Sequence, residues 1–301
     1  MIRSKRPSAS RWAAKIAVAA IATTAFFSLP AETQAQQPTL TFSAIPNQDE
    51  THLLDRFNKI AAYLSKELGV QVKYVPMKSY AAAVTSFRNN HVQLAWFGGM
   101  TGVQARIVVP GSVAIVQGEE DPKFVSYMIA NSATRLKEMK TLDNSIRGKT
   151  FTFGSKASTS GRLMPEYFLR QHYKEYPEKV FSRVGFSGDH TKTIELVESG
   201  AYDIGVVDYT VYNAAVKNGK VDTKKVSIIW TSPPYPDYNW SIRGDVEKTF
   251  GPGFIKKVQD AFLKMKDPEL LSAFPRKSFI AASNKDFQIV EDNARKLKLL
   301  D

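Results

Sequence analysis

The sequence predicts an α/β protein of two lobes, with mixed, mostly parallel sheets. Short β-like segments alternate with amphipathic helices, the pattern of parallel strands covered by helices on both faces. This alternation occurs twice, first over residues 40–118 and again from residue 149. Two stretches, 119–124 and 233–240, interrupt the pattern, and the second has three prolines among its eight residues, which favours an extended, stiff connection.

The first series begins with a predicted strand at 40–45. Residues 51–69 predict a helix, because apolar side chains recur at helical spacing and Gly69 follows them. Short connections join the later members of this series, which are strands at 70–77, 92–99 and 113–118 and helices at 79–90 and 100–109.

The second series has the same character, and a helical tail follows it. A predicted strand at 125–131 precedes the second series, and its own predicted strands are 149–153, 181–188, 202–208 and 226–232. Its predicted helices are 163–176, 191–200 and 209–219, and the tail is expected to be helical over 252–274 and 284–300.

We expect lobe 1 to comprise residues 38–120 plus 238–301, and lobe 2 to comprise 124–232. The stretches 119–124 and 233–240 would then form a hinge that the chain crosses twice. Ligands of open α/β sheets bind at the carboxyl ends of strands, so two facing lobes predict a small ligand in the cleft between them. A single large doubly wound domain is the alternative.

The first 35 residues have the pattern of a secretory signal peptide. A basic start precedes an apolar run at 16–29, which is too short to span a bilayer, and Thr33-Gln34-Ala35 predicts cleavage after Ala35. An uncleaved anchor is the alternative. Cleavage leaves about 266 residues, and removing five basic residues and one acid lowers the formal charge from +12 to +8.

Composition excludes several classes of function. The chain has no cysteine, which excludes disulfides, thiolate catalysis and cysteine-ligated metals, and suits a large exported protein of a bacterial periplasm. Basic residues are scattered beside acids without a run of five, so nucleic acid is not an expected partner. The mild positive charge is compatible with attraction of small anions.

The sequence "GSKASTSGR", residues 154–162, lies between a strand and a helix. A helix start offers unpaired backbone N–H groups and a partial positive charge. Ser158, Thr159 and Ser160 add hydroxyl donors there, and Gly161 permits close approach of a ligand. The segment therefore predicts an anion site, although a simple serine cap of the helix is the alternative. The phosphate-loop pattern GxxxxGK[ST] is absent.

Four further polar or aromatic residues lie where they could converge on this segment. Tyr80 and His190 stand at predicted helix starts, Asp208 closes a strand, and Asp237 lies in the proline-rich connection. Each alone is as readily a cap, a turn residue or part of the core. No GxSxG elbow or metal-binding histidine spacing is present, so we expect neither an enzyme nor a cofactor.

Four stretches together resemble one family. They are "SYAAAVTSFRNNHVQLAWFGG", "GKTFTFGSKASTSGRLMPEYFL", "GFSGDHTKTIELVESGAYDIGVVD" and "VSIIWTSPPYPD". Over residues 38–290 the chain is similar to the periplasmic substrate-binding proteins of phosphate, phosphite and phosphonate ABC transporters, near a branch labelled as selenate-binding. The resemblance implies the type II periplasmic binding protein fold, a monomer, and an ABC permease in the inner membrane as partner.

The resemblance also implies roles for individual residues. The triplet Ser158, Thr159 and Ser160 would donate hydrogen bonds to the ligand. By position, Tyr80, His190, Asp208 and Asp237 would complete the site. Members that bind aminoethylphosphonate carry a glutamate where this chain has Thr210, which puts that ligand in doubt.

The chemistry of the two aspartates narrows the choice of ligand further. An ionised carboxylate only accepts hydrogen bonds, so Asp208 or Asp237 would favour an oxyanion that carries a proton over sulfate or selenate. We expect a periplasmic transport receptor for a small oxyanion or phosphonate. A ligand-sensing module for a membrane sensor, or a secreted phosphoester or acyl hydrolase, is the alternative.

Overall fold

Two β-sheets organise the part of the chain that the computed structural model describes, residues 38–48 and 50–300. The predicted signal peptide, 1–35, lies outside the described residues. In the first series, strand β1 (Leu40–Ala44) leads into helix α1 (Glu50–Leu68), much as its periodicity predicts.

The first sheet has six strands in the order β11-β4-β10-β3-β1-β2. β1, β2 and β3 pair in parallel, whereas β10 lies antiparallel between β3 and β4, and β11 pairs antiparallel with β4. Besides β1, its strands are β2 (Val72–Tyr74), β3 (Leu94–Phe97), β4 (Val113–Gly118), β10 (Asn239–Ile242) and β11 (Phe279–Ala281).

The second sheet has five strands in the order β7-β6-β8-β5-β9. β6 pairs in parallel with β7 and β8, and β5 runs antiparallel to both of its neighbours. Its strands are β5 (Ser126–Asn131), β6 (Thr150–Phe153), β7 (Arg183–Phe186), β8 (Ile204–Asp208) and β9 (Val226–Thr231).

Helices cover both sheets. With α1, those of the first sheet are α2 (Tyr80–Arg88), α3 (Gly99–Val108), α8 (Val246–Phe250), α9 (Phe254–Lys264), α10 (Pro268–Ser272) and α11 (Gln288–Lys296). Those of the second sheet are α4 (Met164–Tyr173), α5 (Pro177–Val180), α6 (His190–Glu198) and α7 (Tyr209–Lys217). Each sheet with its helices forms one lobe.

The cores explain why the sheets have these sequences. In lobe 1, Phe42 of β1 packs on Phe57 of α1 and on Trp240 of β10, with ring centroids 6.1 Å and 5.5 Å away. In lobe 2, apolar side chains form separate clusters on the two faces of the sheet: Phe151 and Val206 belong to one, and Ile129 and Val207 to the other. Strands that are buried on both faces have nearly continuous apolar sequences, and the central strands of this sheet follow that pattern.

The chain passes between the sheets twice, from β4 to β5 and from β9 to β10. A buried ion pair lies at the first passage, where Arg276 Nη2 is 2.7 Å from Asp121 Oδ1. The same guanidinium lies over the rings of Phe124 and Tyr238, so the tail contacts both passages. This is the expected two-lobe arrangement of mixed sheets.

Two strands differ from the expected pattern. Residues 233–240 are expected only as an extended connection, but β10 starts within them and lies inside the first sheet. The segment between the two helical parts of the tail contains β11. Within the described residues, no helix is both long and apolar enough to cross a membrane.

Candidate functional site

The segment 154–162 forms the centre of a buried polar cluster between the lobes. Ser158 caps the helix that follows it, since its hydroxyl accepts a hydrogen bond from Gly161 N at 2.9 Å. The first turn is wide: Leu163 N donates to Ser158 O, five residues back. Such wide turns are frequent at functional sites. Ser158, Thr159 and Ser160 are each at most 3% exposed.

The segment reaches lobe 1 through the start of α3. Met100 N donates to Thr159 Oγ1 at 3.0 Å, which links a helix N-terminus of one lobe to the serine–threonine segment of the other. Gly99 N donates to Asp237 Oδ1 at 2.9 Å. A Cβ at Gly98 would lie 3.2 Å from both Asp237 Oδ1 and Thr159 Oγ1, so a glycine there allows this close approach.

Asp237 is a buried carboxyl with an unused acceptor. It is 1% exposed, and its Oδ2 has no hydrogen-bond partner among the described residues. Burial raises the pKa of Asp237 to about 7, although hydrogen bonds from Gly99 N and the Thr159 hydroxyl oppose the rise. Near neutral pH this carboxyl therefore exists in both protonation states.

His190 presents a hydrogen-bond donor. The side chain is fully buried at the first residue of α6, where the preceding residue Asp189 caps the helix through Lys192 N at 2.7 Å. Burial lowers the pKa of His190, so the neutral ring is favoured despite the nearby Asp208 and Asp189. Because Nδ1 accepts a hydrogen bond from Asp208 N, the proton lies on Nε2, and Nε2 has no partner among the described residues.

Asp208 is placed in the same region, but its oxygens are occupied. Oδ1 caps α7 by accepting from Thr210 N and from the Thr210 hydroxyl at 2.6 Å and 2.7 Å. Oδ2 accepts from the hydroxyl of Tyr238 at 2.9 Å, and that hydroxyl also accepts from Asn47 Nδ2. Asp208 therefore joins lobe 2 to the second passage of the chain, and it orients His190 through its backbone.

Tyr80 completes the cluster from lobe 1. It is the first residue of α2, is 2% exposed, and follows the cap residue Ser79. Burial raises the pKa of Tyr80 well above its ordinary value, with the charges of Asp208 and Asp237 adding to the effect, so the hydroxyl keeps its proton. That hydroxyl lies beside Ser158, yet no partner with hydrogen-bond geometry is found among the described residues.

The structure thus brings the seven predicted residues together at the interface of the lobes. Three of their polar atoms are buried without a partner in the described chain: Tyr80 Oη, His190 Nε2 and Asp237 Oδ2. Lys156, which is also in the quoted segment, is exposed and has its Nζ 5.3 Å from the centre of the Phe186 ring. The lysine is therefore outside the cluster.

Sequence reasoning missed Gly98 and Gly99, whose backbone joins the cluster, and Tyr238. The glycine pair directly follows β3 and starts α3, so the strand-end rule that selects Ser158 applies to it as well. No group of three histidine or acidic side chains suitable for a metal ion occurs among residues 38–48 and 50–300.

Comparison with known proteins assigns the family. The family model for the periplasmic substrate-binding protein of phosphonate ABC transporters matches residues 42–287. The chain is 40% identical over 265 residues to the probable ABC transporter phosphite-binding protein PhnD1 of Prochlorococcus marinus, covering 86% of this chain and 89% of that protein. It is 25% identical over 282 residues to the phosphonates-binding periplasmic protein of Escherichia coli, covering 91% and 82%.

Solved structures agree with this assignment. The structure of PhnD1 from Prochlorococcus marinus in complex with methylphosphonate superposes with a TM-score of 0.82, covering 86% of this chain and 98% of that one. A phosphonate-transporter binding protein from Pseudomonas aeruginosa, 21% identical, has a TM-score of 0.74 over 85% of each chain and supports the fold. The expected fold and family are therefore confirmed. The chain belongs to the periplasmic substrate-binding proteins of phosphonate ABC transporters, which bind substrates for import and are not enzymes.

Proposed function

We propose that this protein captures phosphite or a small phosphonate between its lobes, with the seven residues of the buried cluster as its binding site. The observation that carries the proposal is a set of three buried atoms around residues 158–161 that lack a hydrogen-bond partner within residues 38–48 and 50–300. Two are donors, Tyr80 Oη and His190 Nε2, and one is a carboxyl oxygen, Asp237 Oδ2. Buried polar groups normally form hydrogen bonds, so three such groups close together indicate a bound molecule that all three contact.

The chemistry of these groups selects the ligand. Donors from Tyr80 and His190, with the hydroxyl segment 158–160, suit the oxygens of an anion. Asp237 adds an acceptor, which suits an oxyanion that carries a proton. Between the ligand and Asp237 one proton is shared, supplied by either group because the pKa of Asp237 is about 7. Sulfate and selenate, which are fully ionised, would meet repulsion whenever Asp237 is ionised.

The organic substituent of the ligand is proposed to be small and uncharged. The Thr210 hydroxyl is used by Asp208 at 2.7 Å, and threonine offers no carboxylate for an amine. Methylphosphonate is found in the related structure from Prochlorococcus marinus, which supports the same ligand class here. Aminoethylphosphonate should therefore bind more weakly than methylphosphonate.

Calorimetric titration tests this proposal. The protein is denatured and refolded to remove ligand, then titrated with phosphite, phosphate, methylphosphonate, aminoethylphosphonate, selenite, selenate and sulfate. Ser158→Ala and Asp237→Asn should each weaken binding of the preferred ligand. Ser155→Ala is the matched control, because Ser155 lies in the same loop but outside the buried cluster. Tightest binding of selenate, unchanged in Asp237→Asn, would overturn the proposed chemistry.

The remaining properties follow from this role. We infer that the protein acts as a monomer that delivers its ligand to an ABC permease of the inner membrane. We also infer that export removes residues 1–35 by cleavage after Ala35. Mass spectrometry of periplasmic protein, together with light scattering, tests both inferences: a mature chain starting at Gln36 and a mass of one copy are expected.

A further inference from the structure

A second cavity lies between the two lobes, apart from the seven residues of the buried cluster. Its volume is about 370 Å³. Lobe 1 contributes Gln48 and Arg56, and lobe 2 contributes residues of α6, of α7 and of the loop after α7. A cavity with walls from both lobes exists in this form only when the lobes are together.

Arg56 places a cationic side chain on the wall of this cavity. Its Nη1 is buried and has no hydrogen-bond partner among the described residues. Burial lowers the pKa of Arg56, because the guanidinium loses hydration. A guanidinium keeps its charge in proteins, so a buried N–H that has lost water without gaining an acceptor is costly.

About half of the other described lining residues are apolar, and Lys220 adds a second cation to the wall. Ile194 of α6 and Val211 of α7 line the cavity, and both also belong to the apolar cluster on one face of the second sheet. Glu195, the acid among the described lining residues, forms an ion pair with Lys192 at 2.9 Å along the same helix. The cavity thus combines a cationic donor with an apolar surface.

We propose that this cavity binds a small organic carboxylate, with its carboxylate on Arg56 and its apolar body against Ile194 and Val211. Arginine pairs with planar carboxylates through two parallel hydrogen bonds, which would satisfy Nη1. A molecule in this position touches both lobes and so favours their closed arrangement. Its binding is therefore coupled positively to ligand binding at the buried cluster.

Benzoate is the probe for the site itself. In spectra of protein with labelled isoleucine and valine methyl groups, benzoate should shift the signals of Ile194 and Val211. Arg56→Gln should weaken this binding roughly tenfold, the effect of one charged hydrogen bond, and Arg56→Lys should retain part of it. Arg88→Gln, an exposed arginine of the same lobe, is the matched control and should bind like the native protein. Benzamide, which has the same ring without the charge, should bind more weakly.

Titration with methylphosphonate tests the coupling. This part depends on the proposed function, whereas the benzoate experiment does not. Saturating benzoate should tighten methylphosphonate binding about fivefold in the native protein and leave it unchanged in Arg56→Gln. The site proposal is wrong if benzoate does not bind the native protein. It is also wrong if benzoate binds Arg56→Gln as tightly as the native protein, or if benzamide binds the native protein as tightly as benzoate does. Arginine-dependent benzoate binding without methylphosphonate binding would overturn the proposed function alone.

Discussion

Replacing Asp237 by asparagine should change how the stability of the ligand-free protein depends on pH. The pKa of this carboxyl is about 7 in the folded protein against an ordinary value of 3.8, chiefly because of burial. Between these two values the folded state binds a proton that the unfolded state has released. The contribution of Asp237 to the free energy of unfolding therefore falls as pH rises from about 4 to about 7.

The size of the effect follows from the shift. Three pH units correspond to about 4 kcal/mol, which is the cost of keeping the charged carboxylate buried above pH 7. The asparagine side chain in Asp237→Asn would keep an oxygen for the hydrogen bond from Gly99 N but would carry no charge. Its advantage over the native residue should therefore grow by up to about 4 kcal/mol between pH 4 and pH 8. If the lobes open in the ligand-free protein, water reaches Asp237 and the burial cost falls, so about 4 kcal/mol is an upper limit.

Urea unfolding of ligand-free protein at pH 4.5, 6 and 8 measures this difference. Asp55→Asn, at an exposed aspartate of α1, is the control for replacing an aspartate by asparagine at a site outside the buried cluster. Parallel pH profiles for the native protein and Asp237→Asn, within about 0.5 kcal/mol, would refute the argument that Asp237 is strained by burial.

Three further predictions concern the cluster and the passages between the lobes. Ser158→Ala removes a hydrogen-bond donor to the ligand and a helix cap. The affinity for methylphosphonate should therefore fall roughly tenfold or more, and the free energy of unfolding by about 1 kcal/mol. Native affinity in calorimetry would contradict this prediction. His190→Leu should weaken binding roughly tenfold or more, because the Nε2 donor is lost, whereas His190→Gln should retain more affinity; equal losses in titration would argue against a donor role. Arg276→Met leaves the carboxylate of Asp121 buried without its cation, so the free energy of unfolding in urea should fall by about 3–5 kcal/mol. The double variant with Asp121→Asn should recover part of this loss. No recovery would count against a stabilising role of the ion pair.

Much of the fold follows from local patterns in the sequence. Helix α1 has its apolar side chains at helical spacing, and β4 is observed at 113–118 as predicted. β10 is different, because its four residues follow three prolines and its partners β3 and β4 lie more than a hundred residues earlier in the chain. Local propensity carries no information about such a distant pairing.

The candidate site was also predictable only where local sequence patterns specify it. The strand-end rule places Ser158, His190 and Asp208 at one edge of the second sheet, and the structure brings them together there. The hydrogen bonds of Gly99 and Met100 depend on how the two lobes face each other, which no local pattern specifies. The engagement of both oxygens of Asp208 also requires Tyr238, which comes from the second passage of the chain.

The position of β10 has a consequence for the order of folding. Strands β5 to β9 are contiguous in sequence, so the second sheet can form from one uninterrupted stretch of chain. The first sheet cannot be completed until residues 239–242 pair between β3 and β4, because those strands pair with β10 and not with each other. Until then both strands present open edges, and joining them requires closure of a long loop. The lobe that begins the chain is therefore the last to be completed, and chains that end before residue 239 should aggregate through these edges.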